Sequence, residues 1–310
     1  MNNPRVIFAG TPEFALASLS ALVESGIVPV AVLTQPDRPA GRGKRLTASP
    51  VKQYALSHAI PVLQPVTLRD DKIVAELASL EPDVMIVAAY GLILPQNVLD
   101  IPGQGCLNVH ASILPRWRGA APIQAAILAG DEKTGVSLMA MTAGLDCGPV
   151  YTVDEIRIGA EETAGELHDR LAELGGNALV KNLPDILSGK LAPATQDEAL
   201  ANYAGKIQKE HAELDWTLDA DELQRRVRAY NPVPGAFFHV DDKRIKCWGA
   251  SCIADVEAPT GTVVACGQDG IVIACGKDAL RLEELQLPGK RRVTAREFAG
   301  QLDLSGRRLG

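Results

Sequence analysis

Asn108 and His110 stand two residues apart at the end of the apolar run Cys106–His110, and Asp146 follows the histidine by 36 residues. An amide, an imidazole and a carboxylate suit a reaction in which an oxyanion develops. The amide N–H can hold the negative oxygen, the imidazole can stabilise it or move a proton, and the carboxylate can orient the ring and favour its cation. In a strand, a spacing of two puts Asn108 and His110 on one face. Asp146 lies in Gly144-Leu145-Asp146-Cys147-Gly148-Pro149, whose glycines permit a tight loop that could deliver one carboxylate. Each part also has a plainer reading, as a satisfied polar pair at a strand end and as a turn aspartate.

The elements that must position these residues alternate between strand and helix. Apolar runs at Arg5–Ala9, Val28–Leu33, Pro61–Leu63, Asp83–Ala89, Cys106–His110 and Gly135–Met141 read as strands. Helical spacing recurs at Phe14–Glu24, Val51–His58, Asp70–Leu80 and Ala120–Ala129. The order predicts an α/β fold, Rossmann-like, with a mostly parallel sheet covered by helices on both faces, where ligands bind at the carboxyl ends of strands. Gly10-Thr11-Pro12 opens the first helix but supplies only the first glycine of a dinucleotide fingerprint. Glu13 would also place a carboxylate where a phosphate should sit.

Residues 161–187 read as helix, and the polar stretch 191–209 reads as a linker. Beyond it, one helix at Asp221–Ala229 precedes five short strand candidates between Ala236 and Leu285. These suggest a small closed barrel of the OB type. Thr294 followed by Glu297 predicts a capping box that opens a last helix. The expected division is 1–190, a linker 191–209 and a second domain 210–310.

The 310 residues are 46% apolar and carry a net charge of -7, which excludes a disordered chain and a disulfide-stapled miniprotein. No apolar run approaches a membrane span, and the first strand begins too early for a leader peptide, so a cytoplasmic protein without membrane contact is expected. The six cysteines lack metal-ligand spacing and read as reduced structural residues, with no metal site. H-E-x-x-H, G-x-S-x-G and P-loop patterns are all missing from the sequence. Residues 34–50 form the longest stretch read as irregular. Arg38, Arg42, Lys44, Arg45 and, just beyond the stretch, Lys52 are five cations with no acid from 38 to 52, and Lys290, Arg291, Arg292 and Arg296 form a second cluster. Two such clusters in an acidic chain suggest a polyanion touched at chosen places.

With these residues in place, the chain resembles the folate-dependent formyltransferases. Asn108, His110 and Asp146 match that family's catalytic trio. Ser112-Ile113-Leu114-Pro115, continued by Arg116-Trp117-Arg118-Gly119-Ala120-Ala121-Pro122-Ile123, is similar to its folate-site signature. The loop from Gln35 to Lys44, the segments Tyr203–Ile207 and Asp215-Trp216, and Leu287–Lys290 resemble the branch that acts on charged tRNA. Ala125, Val233 and Ile113 depart from the common pattern without touching the trio.

The resemblance implies that a formyl group passes from 10-formyltetrahydrofolate to the α-amine of methionine esterified to initiator tRNA. Ser112, Ile113, Leu114 and Pro115 would bind the folate. Arg42, Lys44, Arg45, Lys206, Arg291 and Arg292 would meet the tRNA. The apolar run Ala88–Leu94 would form a wall for the pterin or serve as ordinary core. A monomer is expected. The competing expectation is a formyltransferase acting on a sugar-nucleotide amine.

Overall fold

A computed structural model describes residues 3–40 and 45–309. The chain divides into two compact units. One holds Met1–Pro122, Lys133–Arg157 and His168–Ala204, and the other holds Ile123–Glu132, Ile158–Leu167 and Gly205–Gly310.

In chain order the strands through the first unit are β1 (Val6–Gly10), β2 (Ala31–Leu33), β3 (Arg38–Ala40), β4 (Arg45–Thr47), β5 (Val62–Leu63), β6 (Val84–Ala88), β7 (Cys106–His110), β8 (Arg118–Gly119), β9 (Lys133–Ala140), β10 (Val150–Arg157) and β11 (Tyr203–Ala204). The helices along the same stretch of chain are α1 (Glu13–Glu24), α2 (Pro50–Ser57), α3 (Asp71–Ser79), α4 (Gln96–Leu99), α5 (Pro122–Ala129), which belongs to the second unit from Ile123, and α6 (Ala164–Leu187), which belongs to the first unit from His168. Seven strands form one sheet in the order β10-β9-β7-β6-β1-β2-β5. β1 pairs in parallel with β2 and β6, β2 with β5, and β6 with β7, whereas β9 runs antiparallel to both β7 and β10.

β1, β6 and β7 are buried along their whole length, as strands covered on both faces must be. On one side Ile7, Ala9, Leu33, Met85 and Val87 pack with Leu77, Val98 and Leu99. Fully burying each such side chain contributes about 1.5–3 kcal/mol. Gly10 lets strand and helix close up, because a Cβ there would stand 2.6 Å from the Ala15 Cβ. The chain runs outward from β1 through β2 to β5 and then returns to β6. The strand order therefore switches between β1 and β6, which opens a crevice at their carboxyl ends. Thr11 Oγ1 donates to the Tyr90 carbonyl across it at 3.0 Å.

Two expectations change. Residues 34–50 are not wholly irregular, because β3 and β4 pair antiparallel in a three-residue ladder. Their flanks (Arg-Pro-Ala and Arg-Leu-Thr) carry no apolar alternation that would announce a hairpin. The strand β10 was missed because it lies at the sheet edge, half-covered, with Asp154, Glu155 and Arg157 interrupting its pattern.

The second unit contains α7 (Ala220–Ala229), β12 (Phe237–Val240), β13 (Lys243–Ile253), β14 (Val263–Gly267), β15 (Gly270–Ala274), β16 (Ala279–Gln286), β17 (Val293–Thr294) and α8 (Ala295–Ala299). Its antiparallel sheet runs β12-β13-β16-β15-β14, with β17 on β16. Bulges near Cys247–Ala250 and Val263–Ala265 bend it around a core of Leu223, Val227, Phe238, Ile245, Ile273, Leu280, Leu282 and Phe298. The result is barrel-like and curled. Among the described residues no ladder joins β12 to β14, so it is not the closed barrel expected. Thr294 caps α8 by accepting from the Glu297 amide, while the Glu297 carboxylate turns to Arg291 instead of completing a capping box.

Candidate active site

The Asn108 and His110 side chains leave the same face of β7, and both residues are buried. β9 runs back beside β7 and hands the chain to the loop that carries Asp146, which adopts the left-handed backbone conformation with φ +49°. The Asn108 Nδ2 then lies 3.4 Å from Asp146 Oδ1, and the His110 Nδ1 lies 3.7 Å from Asp146 Oδ2. Amide, imidazole and carboxylate thus converge as their types suggested.

The environment of the ring is specific. His110 Nε2 donates to the Trp117 carbonyl at 3.0 Å, and Trp117 is itself left-handed at φ +61°. Both ring nitrogens therefore face oxygens, the Trp117 carbonyl within hydrogen-bond distance and the Asp146 carboxylate just beyond it. The Gly119 amide donates to Asp146 Oδ2 at 2.8 Å and holds the carboxylate beside the ring. Glycine is required there. Its φ is +110°, and a Cβ would meet the Ala204 carbonyl at 2.7 Å.

The next turn is built around two serines. Ser112 Oγ donates to the Arg116 carbonyl at 2.6 Å. Ser137 Oγ donates to the Ser112 carbonyl at 2.7 Å and accepts from the Leu114 amide at 3.1 Å. Ser112 and Leu114 are buried in shaping this turn, while Ile113 and Pro115 remain half-exposed. In the run Ala88–Leu94, Ala88, Tyr90 and Leu94 belong to the core, and Ile93 is exposed. Among the described residues the buried Tyr90 hydroxyl has no hydrogen-bond partner, and burial pushes it well above the ordinary phenol value.

Residues 4–183 match the formyl transferase family, and residues 206–302 match the C-terminal domain of formyl transferases. The chain belongs to the formyltransferase family. It is 50% identical over 307 residues, 99% of either chain, to the methionyl-tRNA formyltransferase of Methylococcus capsulatus. Two solved structures share its fold at low identity. HypX from Aquifex aeolicus in complex with tetrahydrofolic acid gives a TM-score of 0.63 at 17% identity, and covers 99% of this chain, which spans 49% of that one. The N-formyltransferase from Helicobacter canadensis, in complex with folinic acid and dTDP-3-aminofucose, gives 0.68 at 18% identity, over 90% of this chain and 99% of that one.

The cations of this formyltransferase divide by their partners. Lys52 Nζ donates to both oxygens of Asp37 and to Gln64 Oε1, so it braces the base of the hairpin. Hydrogen bonds from Lys52 and Gln64 hold the Asp37 carboxyl below the ordinary carboxylate value. Arg38 donates to Gln35 Oε1 at 2.9 Å, whereas Arg45 is exposed on β4. Arg42 and Lys44 lie outside the described residues. Lys206 is exposed, and Arg291 is paired with Glu297 at 3.3 Å.

Arg292 lies 3.7 Å over the Trp248 ring, with Glu284 at 3.6 Å. Sequence reasoning missed its neighbours. Arg244 stacks on Phe237 at 3.9 Å, and Lys246 lies 4.8 Å from the Trp248 ring. The signal was the spacing Arg244-x-Lys246-x-Trp248, which puts all three on one face of β13.

Among the described residues no group of three or more His, Cys, Asp or Glu could hold a metal ion. No helix among them is long and apolar enough to cross a membrane. The cysteines are free, with Cys106, Cys247 and Cys275 buried.

Proposed function

We propose that this formyltransferase moves the formyl group of 10-formyltetrahydrofolate onto the α-amine of methionine esterified to initiator tRNA. The observation that carries the reading is end-to-end identity of 50% with a methionyl-tRNA formyltransferase, in a chain whose trio lies within one small volume. In this reading the amine attacks the formyl carbon, and the carbonyl electron pair moves onto oxygen. The Asn108 amide meets that oxygen, an arrangement worth roughly 10²–10³ in rate. The His110 ring stabilises that oxygen or takes part in moving a proton toward the departing folate nitrogen. Asp146 keeps the ring oriented. An α-amine of pKa near 8 is about one-tenth neutral at pH 7, so positioning matters more than a strong base.

The 1–190 region binds the donor. The Ser112–Pro115 turn presents Ile113, Pro115 and backbone to the folate, while Ser112 and Leu114 set the turn's shape. The 210–310 region, joined through 191–209, meets the tRNA with Arg291 and Arg292, assisted by Lys206. Arg42, Lys44 and Arg45 meet the acceptor arm. The enzyme acts as a cytoplasmic monomer. A sugar-nucleotide amine is the competing acceptor, but the structural neighbour crystallised with an amino sugar nucleotide is only 18% identical. The deciding experiment offers the formyl donor with methionyl-tRNA or with an amino-sugar nucleotide. Formylation of methionyl-tRNA is expected, and formylation of the sugar alone would overturn the assignment.

A further inference from the structure

The two oxygens that fix the His110 ring, the Trp117 carbonyl and the Asp146 carboxylate, both sit on left-handed non-glycine residues. That conformation persists only where surrounding structure enforces it. One stretch, 194–204, reaches both. Ala194 exchanges backbone hydrogen bonds with Val150 at 2.8 Å, which docks the stretch on the sheet edge. The Asn202 side chain accepts from the Trp117 amide at 2.6 Å, and its carbonyl accepts from the Arg118 amide at 3.0 Å.

Gln196 is the link between the two loops. Its Nε2 donates to the Asp146 carbonyl at 2.9 Å and to the Gly148 carbonyl at 2.7 Å, so it clamps the turn that aims the carboxylate. Its Oε1 accepts from Arg118 Nε at 3.0 Å and Nη2 at 2.9 Å. All four hydrogen-bonding positions of this buried carboxamide are therefore filled. Arg118 is fully buried, directly follows Trp117, and is anchored in turn by both Glu198 oxygens at 2.7 and 2.9 Å.

We propose that Gln196 is a positioning residue for the formyl-transfer step: it ties the Asp146 turn to the Trp117–Arg118 segment and so holds both partners of the His110 ring in register. The proposal rests on the assignment of His110 and Asp146 to the chemistry. A simple packing role for Gln196 would leave the state of the ring unchanged once the protein is folded.

Gln196→Glu separates the two roles. It preserves size and the acceptors for Arg118, but replaces the donor that faces the Asp146 and Gly148 carbonyls. Gln196→Met serves as an uncharged second variant. Each is measured by thermal melting, by kcat and KM for donor and charged tRNA, by the pH dependence of kcat, and by the ¹⁵N shifts of the His110 ring nitrogens. A folded variant should lose about 10²-fold in kcat, since small misplacements cost that much. Both KM values should stay within about twofold, while the pH profile and the His110 signals move. A folded variant with parental kcat, pH profile and ring signals would overturn the proposal. Failure of both variants to fold would also overturn it, by assigning Gln196 to the fold. His110→Asn is assayed alongside. If it retains full turnover, the trio assignment itself is wrong, whereas an inactive His110→Asn beside an unaffected Gln196 variant removes only the clamp.

Discussion

The Gly119 amide lies 2.8 Å from the Asp146 carboxylate, closer than the His110 ring at 3.7 Å. The carboxylate is therefore fixed first by a backbone donor and only then offered to the imidazole. Asp146→Asn can keep an oxygen toward Gly119 but removes the charge that faces Nδ1. A fall in kcat of about 10²–10⁴ is expected, with little loss of stability. Asp146→Ala also orphans the Gly119 amide and should cost a further ~1–3 kcal/mol in denaturant unfolding. Equal melting temperatures for the two variants would contradict this ordering.

Gly119→Ala tests the same contact from its other side. The new methyl group meets the Ala204 carbonyl at 2.7 Å, on a backbone that L side chains rarely adopt. A loss of about 1–3 kcal/mol is expected, with a fall in kcat as the amide is pulled from Asp146. Denaturant unfolding and steady-state kinetics measure the two effects.

Two cations close in sequence, Arg45 on β4 and Lys52 on α2, should behave differently. Arg45 is exposed, and Arg45→Ala should raise the KM for charged tRNA several-fold and reduce the salt slope of tRNA binding by about 1. Arg42→Ala is expected to act in the same direction. Lys52 is held by Asp37 and Gln64, so Lys52→Ala should lower the melting temperature while leaving the salt slope unchanged. Binding isotherms over a range of salt concentrations distinguish the two.

That difference marks where the sequence ceased to be informative. Lys52 and Arg45 look alike in a run of cations, and only the fold brings Asp37 and Gln64 to one of them. By contrast, β7 was legible to the residue, because Cys106, Leu107 and Val109 mark a short apolar strand in which Asn108 and His110 fall two apart on one face. Asp146 was legible as a loop residue between glycines. Gln196 was not, because a lone glutamine in a polar stretch carries no periodic or spacing signal. Its importance comes from contacts with residues about fifty to eighty positions away.

The Arg118–Glu198 pair gives a pH dependence of defined sign. The hydrogen bond from Arg118 holds the Glu198 carboxyl below its ordinary value of 4.5. A depressed carboxylate stabilises the fold above its unfolded-state pKa, and that contribution disappears as pH falls through the folded-state value. The wild-type protein should therefore melt above Glu198→Gln near neutral pH, with the gap closing below about pH 4.5. A gap independent of pH would contradict the pairing.

The most direct measurement is single-turnover formyl transfer to charged tRNA by His110→Asn, with donor binding determined separately on the same folded protein. If the imidazole shares the one-carbon unit with Asn108 and Asp146, the rate falls by at least ~10²-fold while donor affinity stays within about twofold. A rate within a few-fold of wild type, with donor bound normally, would remove His110 from the chemistry.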